Sequence, residues 1–148
     1  MGAAWFFPFI AFAGILQAAG AAMNGALNKS MVNPWLATSV SFLLVTFLAI
    51  ALFVCMPKPL PAVGDLEGMP WWAPLGGITG AVAVFAGLLL IQKLGAGPVN
   101  GVTITANLLA SLAIDQFGLF GIQQHSMNPY RIGGAVLMLA GVTLIAKF

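Results

Sequence analysis

The sequence predicts an all-α membrane protein with five transmembrane helices and almost no water-soluble part. Three observations carry that expectation. Charged residues make up 5% of the chain against 61% hydrophobic, whereas a soluble domain carries about 25% charged residues. Apolar runs of spanning length recur, separated by clusters of Pro, Gly and polar residues. None of these runs alternates as a barrel strand would, and open strands cannot span lipid. No Ser-rich or charge-rich linker divides the chain, so one transmembrane domain over 1–148 is expected.

The first helix is expected over about residues 5–27, from Trp5, with Gln17 and Asn24 inside it. Asn28, Lys29 and the Asn33-Pro34 pair break it. No Lys or Arg precedes this stretch, and it exceeds the apolar region of a signal peptide, so it is expected to be retained. The second helix, about residues 34–56, is the most uniformly apolar and is closed by Pro57, Pro59 and Pro61. The longest loop follows over about residues 57–70, carrying Lys58, Asp65 and Glu67. The third helix, about residues 71–91, opens on Trp71 and Trp72, where an aromatic belt would anchor it. Gln92, Lys93 and Gly95-Ala96-Gly97-Pro98 read as a tight turn. The fourth helix is expected over about residues 99–120 and the fifth over about 131–146. The fifth, bracketed by Arg131 and Lys147, is short enough to need snorkelling ends or local thinning.

Five spans place the termini on opposite sides. Lys58 and Arg131 then face Lys29, Lys93 and Lys147, two basic residues against three. So small a Lys/Arg imbalance gives little orienting force. Three outcomes stay open: insertion in both orientations with antiparallel pairing, orientation imposed by a partner, or a single orientation set by weaker signals.

Small residues are the means by which helices approach closely in lipid. Gly76, Gly80, Ala83 and Gly87 share one face of the third helix and are the expected packing stripe; Ala18, Ala22 and Ala26 offer another on the first, and Gly134 and Gly141 lie two turns apart on the fifth.

Polar side chains in the spans are the place to look for function, because they face protein or water rather than lipid. Gln17, Asn24 and Asn28 form one stripe on the first helix. Asn100, Thr103, Asn107 and Ser111 form a second on the fourth, continued one turn on by Asp115. Two such stripes suit the lining of a substrate cavity; interhelical hydrogen bonding is the plainer alternative. Gln17, Asn24, Thr103, Asn107 and Ser111 are the candidate substrate contacts. Asn28 and Asn100 lie near helix ends, where capping suffices. Asp115 is the only acid in any expected span, about five residues from its end, and is the candidate for an ion or proton; the alternative is a pairing with Arg131 or His125.

Other chemistries lack their residues. The five basic residues are scattered, so no nucleic-acid partner is expected. His125 has no companion at ligand spacing, so no metal is expected. Cys55, the one cysteine, offers no intrachain disulfide and reads as a small packing residue. No nucleophile–base arrangement or phosphate-cradling glycine motif occurs, so neither an enzyme nor a cofactor is expected.

Several strings resemble the YdcZ-like family of short five-helix proteins in the drug/metabolite transporter superfamily. They are Gln17 with Asn24-Gly-Ala-Leu-Asn28, Gly76-Gly77-Ile-Thr-Gly80-Ala and Leu94-Gly95-Ala96. Further along come Ala110-Ser-Leu-Ala-Ile-Asp115-Gln-Phe-Gly118-Leu-Phe-Gly121, Arg131-Ile-Gly133-Gly134 and Gly141-Val142. Two departures stand out: Ala106-Asn107 replaces the usual Gly-Gln, and Asp115-Gln116 the usual Asp-His, which removes a titratable group. The resemblance implies a multi-pass transporter of the bacterial inner membrane. It also implies pairing of oppositely oriented five-helix units, as a homodimer or as a heterodimer with a homologous chain. Such a pair would give a ten-helix inverted-repeat fold. The expected function is secondary-active transport of a small organic solute or drug-like metabolite; a passive channel and a non-transporting subunit that stabilises another membrane protein are the alternatives.

Overall fold

The computed structural model describes residues 6–56 and 58–148. Trp5, the expected start of the first helix, and Pro57, the first of the three closing prolines, lie outside the described residues. Among the described residues there are six α-helices and no strand, and five helical spans are long and apolar enough to cross a membrane.

Helix α1 covers Phe6–Met31, four residues beyond the expected end. Asn28 and Lys29 do not break it. The Asn28 amide donates to the carbonyl of Leu88 at 3.2 Å, and the Val32 N–H continues the helical ladder to Asn28 O at 2.9 Å. Lys29, in the last turn, complements the carbonyl end of the helix. The chain then turns at Val32, whose φ of 62° is rare for a β-branched residue. Asn33 restarts it: its side-chain oxygen accepts from Trp35 N at 3.0 Å and Leu36 N at 3.2 Å, and Pro34 follows at the first helical position.

Helix α2 (Pro34–Cys55) is the most apolar span. Thr38, Ser39 and Thr46 each donate to the carbonyl four residues back, so these hydroxyls do not meet lipid unpaired. Cys55, expected as a packing residue, is exposed at its end.

The segment expected as a plain loop contains a short helix, α3 (Val63–Glu67), started by the Asp65 carboxylate accepting from Ala62 N at 2.9 Å. A 3₁₀ turn at Ala73–Leu75 then runs into α4 (Gly76–Leu94). Gln92 and Lys93 lie in its last turn, Lys93 being well placed against the exposed carbonyls. The expected 92–98 turn therefore shrinks to Gly95 alone. Its φ of 87° and ψ of 160° are open only to glycine. Gly97 and Pro98 belong to the first turn of α5 (Ala96–Phe117), where the missing proline N–H has no helical partner to lose.

Helix α5 ends three residues before the expected residue 120, because Gly118 takes the left-handed conformation (φ 61°) and caps it. A 3₁₀ turn over Leu119–Gly121 follows, with Phe120 at φ 58°. Helix α6 (Pro129–Lys147) is capped by Asn128, whose side chain accepts from Arg131 N at 2.9 Å. Its 19 residues span about 28 Å, close to the roughly 30 Å hydrocarbon layer.

The chain divides into two compact units, 1–92 and 93–148. In the first, Ala37, Leu88 and Ile91 are buried, and Gly25 brings α1 onto α4: a Cβ there would collide with the Ile91 side chain. Trp35 stacks on Phe85 with ring centroids 4.3 Å apart. In the second, Val99, Thr105 and Ala135 are buried, and Gly101 sits where a Cβ would lie 2.7 Å from Val142 Cγ2. The expected stripe makes no such approach: a Cβ on Gly76, Gly80 or Gly87 would meet nothing within 4 Å, and Ala83 is exposed. Most large apolar side chains face outward, as suits a chain whose solvent is lipid.

Candidate functional site

The polar residues of the first unit are mostly spent on holding it together. Asn24 accepts a hydrogen bond from the Ser41 hydroxyl at 2.9 Å, tying α1 to α2, and Asn28 ties α1 to α4. Gln17 differs. It lies near the middle of α1, is exposed, and has no hydrogen-bond partner among the described residues.

The second unit gathers its polar residues. A groove of about 500 Å³ runs between α5 and α6, lined by Ser111, Asp115 and Arg131 together with Leu108, Leu112, Gly134, Ala135 and Met138. Ser111 and Asp115, one turn apart on α5, both face it. Asn107 borders Ser111, whose hydroxyl donates to Asn107 Oδ1 at 3.4 Å. Thr103 lies outside the groove, and its hydroxyl donates to Val99 O at 2.8 Å. Of the candidates on this helix, the structure thus brings Ser111 and Asp115 together with Asn107 beside them, and holds Thr103 within its own helix. Gln17 and Asn24 belong to the first unit.

Because α5 ends at Phe117, Asp115 lies two residues from its end rather than five. Arg131 occupies the first turn of α6, placed there by the Asn128-Pro129 start. Their contact is a single one, Arg131 Nη1 to Asp115 Oδ2 at 3.3 Å, with the two side chains 33% and 31% exposed. The same Nη1 donates to His125 O at 3.3 Å.

Both charges oppose the local helix field. A carboxylate at a carbonyl end and a guanidinium at an N–H end are each disfavoured by about 0.3–1 kcal/mol. Helix stability alone would exchange the two residues. The pairing offsets that penalty only in part, because an ion pair exposed to this degree is worth about 0–1 kcal/mol.

The loop before α6 is clasped to the end of α5. His125 N donates to Asp115 O at 2.9 Å, Gln124 Nε2 to Gln116 O at 2.7 Å, and Met127 N to Gln116 Oε1 at 2.5 Å. The first two satisfy backbone carbonyls that a helix end leaves without partners, and the third ties the loop to the Gln116 side chain. Gln116, read in the sequence only as the loss of a titratable group, is thus a two-sided fastener. The second contact of Arg131, with the His125 carbonyl, and the wall formed by Gly134, Ala135 and Met138 were not visible in the sequence; for Arg131 itself the signals were the pairing with Asp115, left open there, and the Asn-Pro helix start. Among the described residues, no group of three or more His, Cys, Asp or Glu side chains is arranged to hold a metal ion.

Comparison with curated proteins returned no match, and neither did comparison with solved structures. The family described as "Putative inner membrane exporter, YdcZ" matches residues 5–144, nearly the whole chain. With its five apolar spans, the protein is an inner-membrane protein of a transporter family, and the chain belongs to the DMT_YdcZ family.

Proposed function

We propose that the protein exports a small neutral or amphipathic organic solute by secondary-active transport, working as two oppositely oriented copies or with a homologous chain. Gln17 is the observation that carries this reading. An amide near the middle of a 26-residue span, exposed and without a hydrogen-bond partner among the described residues, is costly against lipid and calls for a second protein surface or a polar solute. The open face of Gly76, Gly80 and Gly87 supports the same reading, since small residues allow close approach of another helix. The near balance of basic residues removes the usual obstacle to inserting both ways. An inverted pair of such units would place its solute path near the bilayer midplane and alternate its access. Gln17, Asn107 and Ser111 are the proposed solute contacts.

Orientation is tested by labelling single cysteines at each terminus in a Cys55→Ser background in intact cells. Each terminus is expected to label from outside in about half of the molecules; one fixed orientation overturns the antiparallel homodimer. Transport is tested with purified protein in vesicles. Gradient-driven accumulation of solute, lost in Gln17→Leu, is the expected result. Conductance far above transporter turnover indicates a channel instead, and partner assembly without flux indicates an accessory subunit.

A further inference from the structure

The groove of the second unit has opposite charges at one end and an apolar floor along the rest, and its volume of about 500 Å³ falls within the range of small-molecule sites. The charges are underused. Arg131 engages Asp115 and His125 O through one nitrogen, leaving the rest of its five-donor fork without partners among the described residues. Asp115 Oδ1 likewise accepts no bond among the described residues. A pair selected for structure alone would be forked, as Arg–carboxylate pairs commonly are. It would also run with the helix dipoles, which this one opposes. The geometry points to a binding site for a zwitterionic amphiphile: its cationic group against Asp115, its anionic group against Arg131, Ser111 beside the head, and its apolar portion along Leu108, Leu112 and Met138. The offset of seven positions from Leu108 to Asp115 gives that apolar portion about 10 Å of helix to lie on. The charged end sits at helix termini, where a polar head reaches water while its tail stays in the hydrocarbon layer. The same chemistry belongs to a lipid with an amine-bearing headgroup and to a free solute such as an apolar amino acid. If the occupant is the cargo, this inference rests on the export reading and specifies its substrate class.

The test is calorimetric titration of the purified full chain in maltoside micelles, with protein-free micelles as blank. The probes are lauroyl-lysophosphatidylethanolamine, dodecanoate, dodecylamine and leucine. The zwitterionic lipid is expected to bind about tenfold more tightly than either singly charged chain, one charge-assisted hydrogen bond's worth. Asp115→Asn should abolish the preference over dodecanoate, and Arg131→Gln the preference over dodecylamine. Leu112→Trp, which fills the floor and keeps both charges, should weaken the lipid probe about tenfold and remains informative if a charge variant misfolds. Binding of leucine with the same dependence on the two charges identifies a free solute; binding of the lipid alone identifies a lipid. Equal affinity for all three lauroyl-length probes, or an intact preference in both charge variants, overturns the site. Because binding is read without flux, binding retained in a protein that transports nothing overturns the export reading alone. Flux without binding in the groove overturns this site alone.

Discussion

The two compact units treat their polar residues in opposite ways. In residues 1–92, Asn24 and Asn28 are consumed by interhelical hydrogen bonds around the close approach at Gly25, while Gln17, the third amide of that stripe, has no partner among the described residues. In residues 93–148, the helices meet through Gly101 and Ala135, which carry no polar group, while Ser111, Asp115 and Arg131 are left along a groove. The first unit joins its helices with amides around a glycine contact; the second joins them with small side chains and the single-contact pair of Asp115 and Arg131, whose remaining polar atoms have no partner among the described residues. Similar polar stripes in a sequence can therefore serve different ends, and the location of the glycine contact separates them.

The sharpest attack on this contrast is at the glycines. Gly25→Leu should lower stability by about 3 kcal/mol, because the added side chain drives into Ile91. Gly14→Leu, where a Cβ meets nothing within 4 Å, should leave thermal unfolding in detergent unchanged. In the second unit, Gly101→Ala should cost about 1–2 kcal/mol and be rescued by Val142→Ala, since the crowding is with one methyl group. Failure of the rescue would mean that the helices meet elsewhere. Next in size come the amides. Asn28→Ala and Asn24→Ala should each cost about 0.6 kcal/mol and leave flux intact, whereas Ser111→Ala should reduce flux without a change in melting temperature. The reverse pattern would break the contrast outright. The smallest effect is the exchange Asp115→Arg with Arg131→Asp. It keeps the pair and aligns both charges with the helix ends but gives up the Arg131 bond to the His125 carbonyl, so the net change in stability should stay within about 1 kcal/mol, measured by thermal melting.

The number and order of the spans were legible in the sequence because breakers and apolar runs alternate so plainly. Span ends were less so. Asn28, Lys29, Gln92 and Lys93 look like breakers, yet all four lie inside helices, where Asn28 bonds a neighbour's carbonyl and the two lysines complement the helix ends. Gly97-Pro98 looks like a turn and forms a first helical turn. Gly118 stops α5 through its left-handed conformation, which no hydropathy pattern encodes. The site was half legible. Asp115 stood out as the lone acid, and its pairing with Arg131 was one of the readings left open. The packing face was not legible: where lipid is as apolar as the protein interior, small residues at Gly76 and Gly80 look no different from those at Gly25 and Gly101.

The link between α1 and α2 has a consequence for how the protein sits in the membrane. Val32 and Asn33 are the only residues between Met31 and Pro34, so the link reaches about 11 Å at most. That is far less than the roughly 30 Å hydrocarbon layer, so the end of α1 and the start of α2 lie at the same membrane face. Whichever way α1 runs, α2 runs the other, and the two spans share one orientation choice, with Lys29 the one basic residue near their bend.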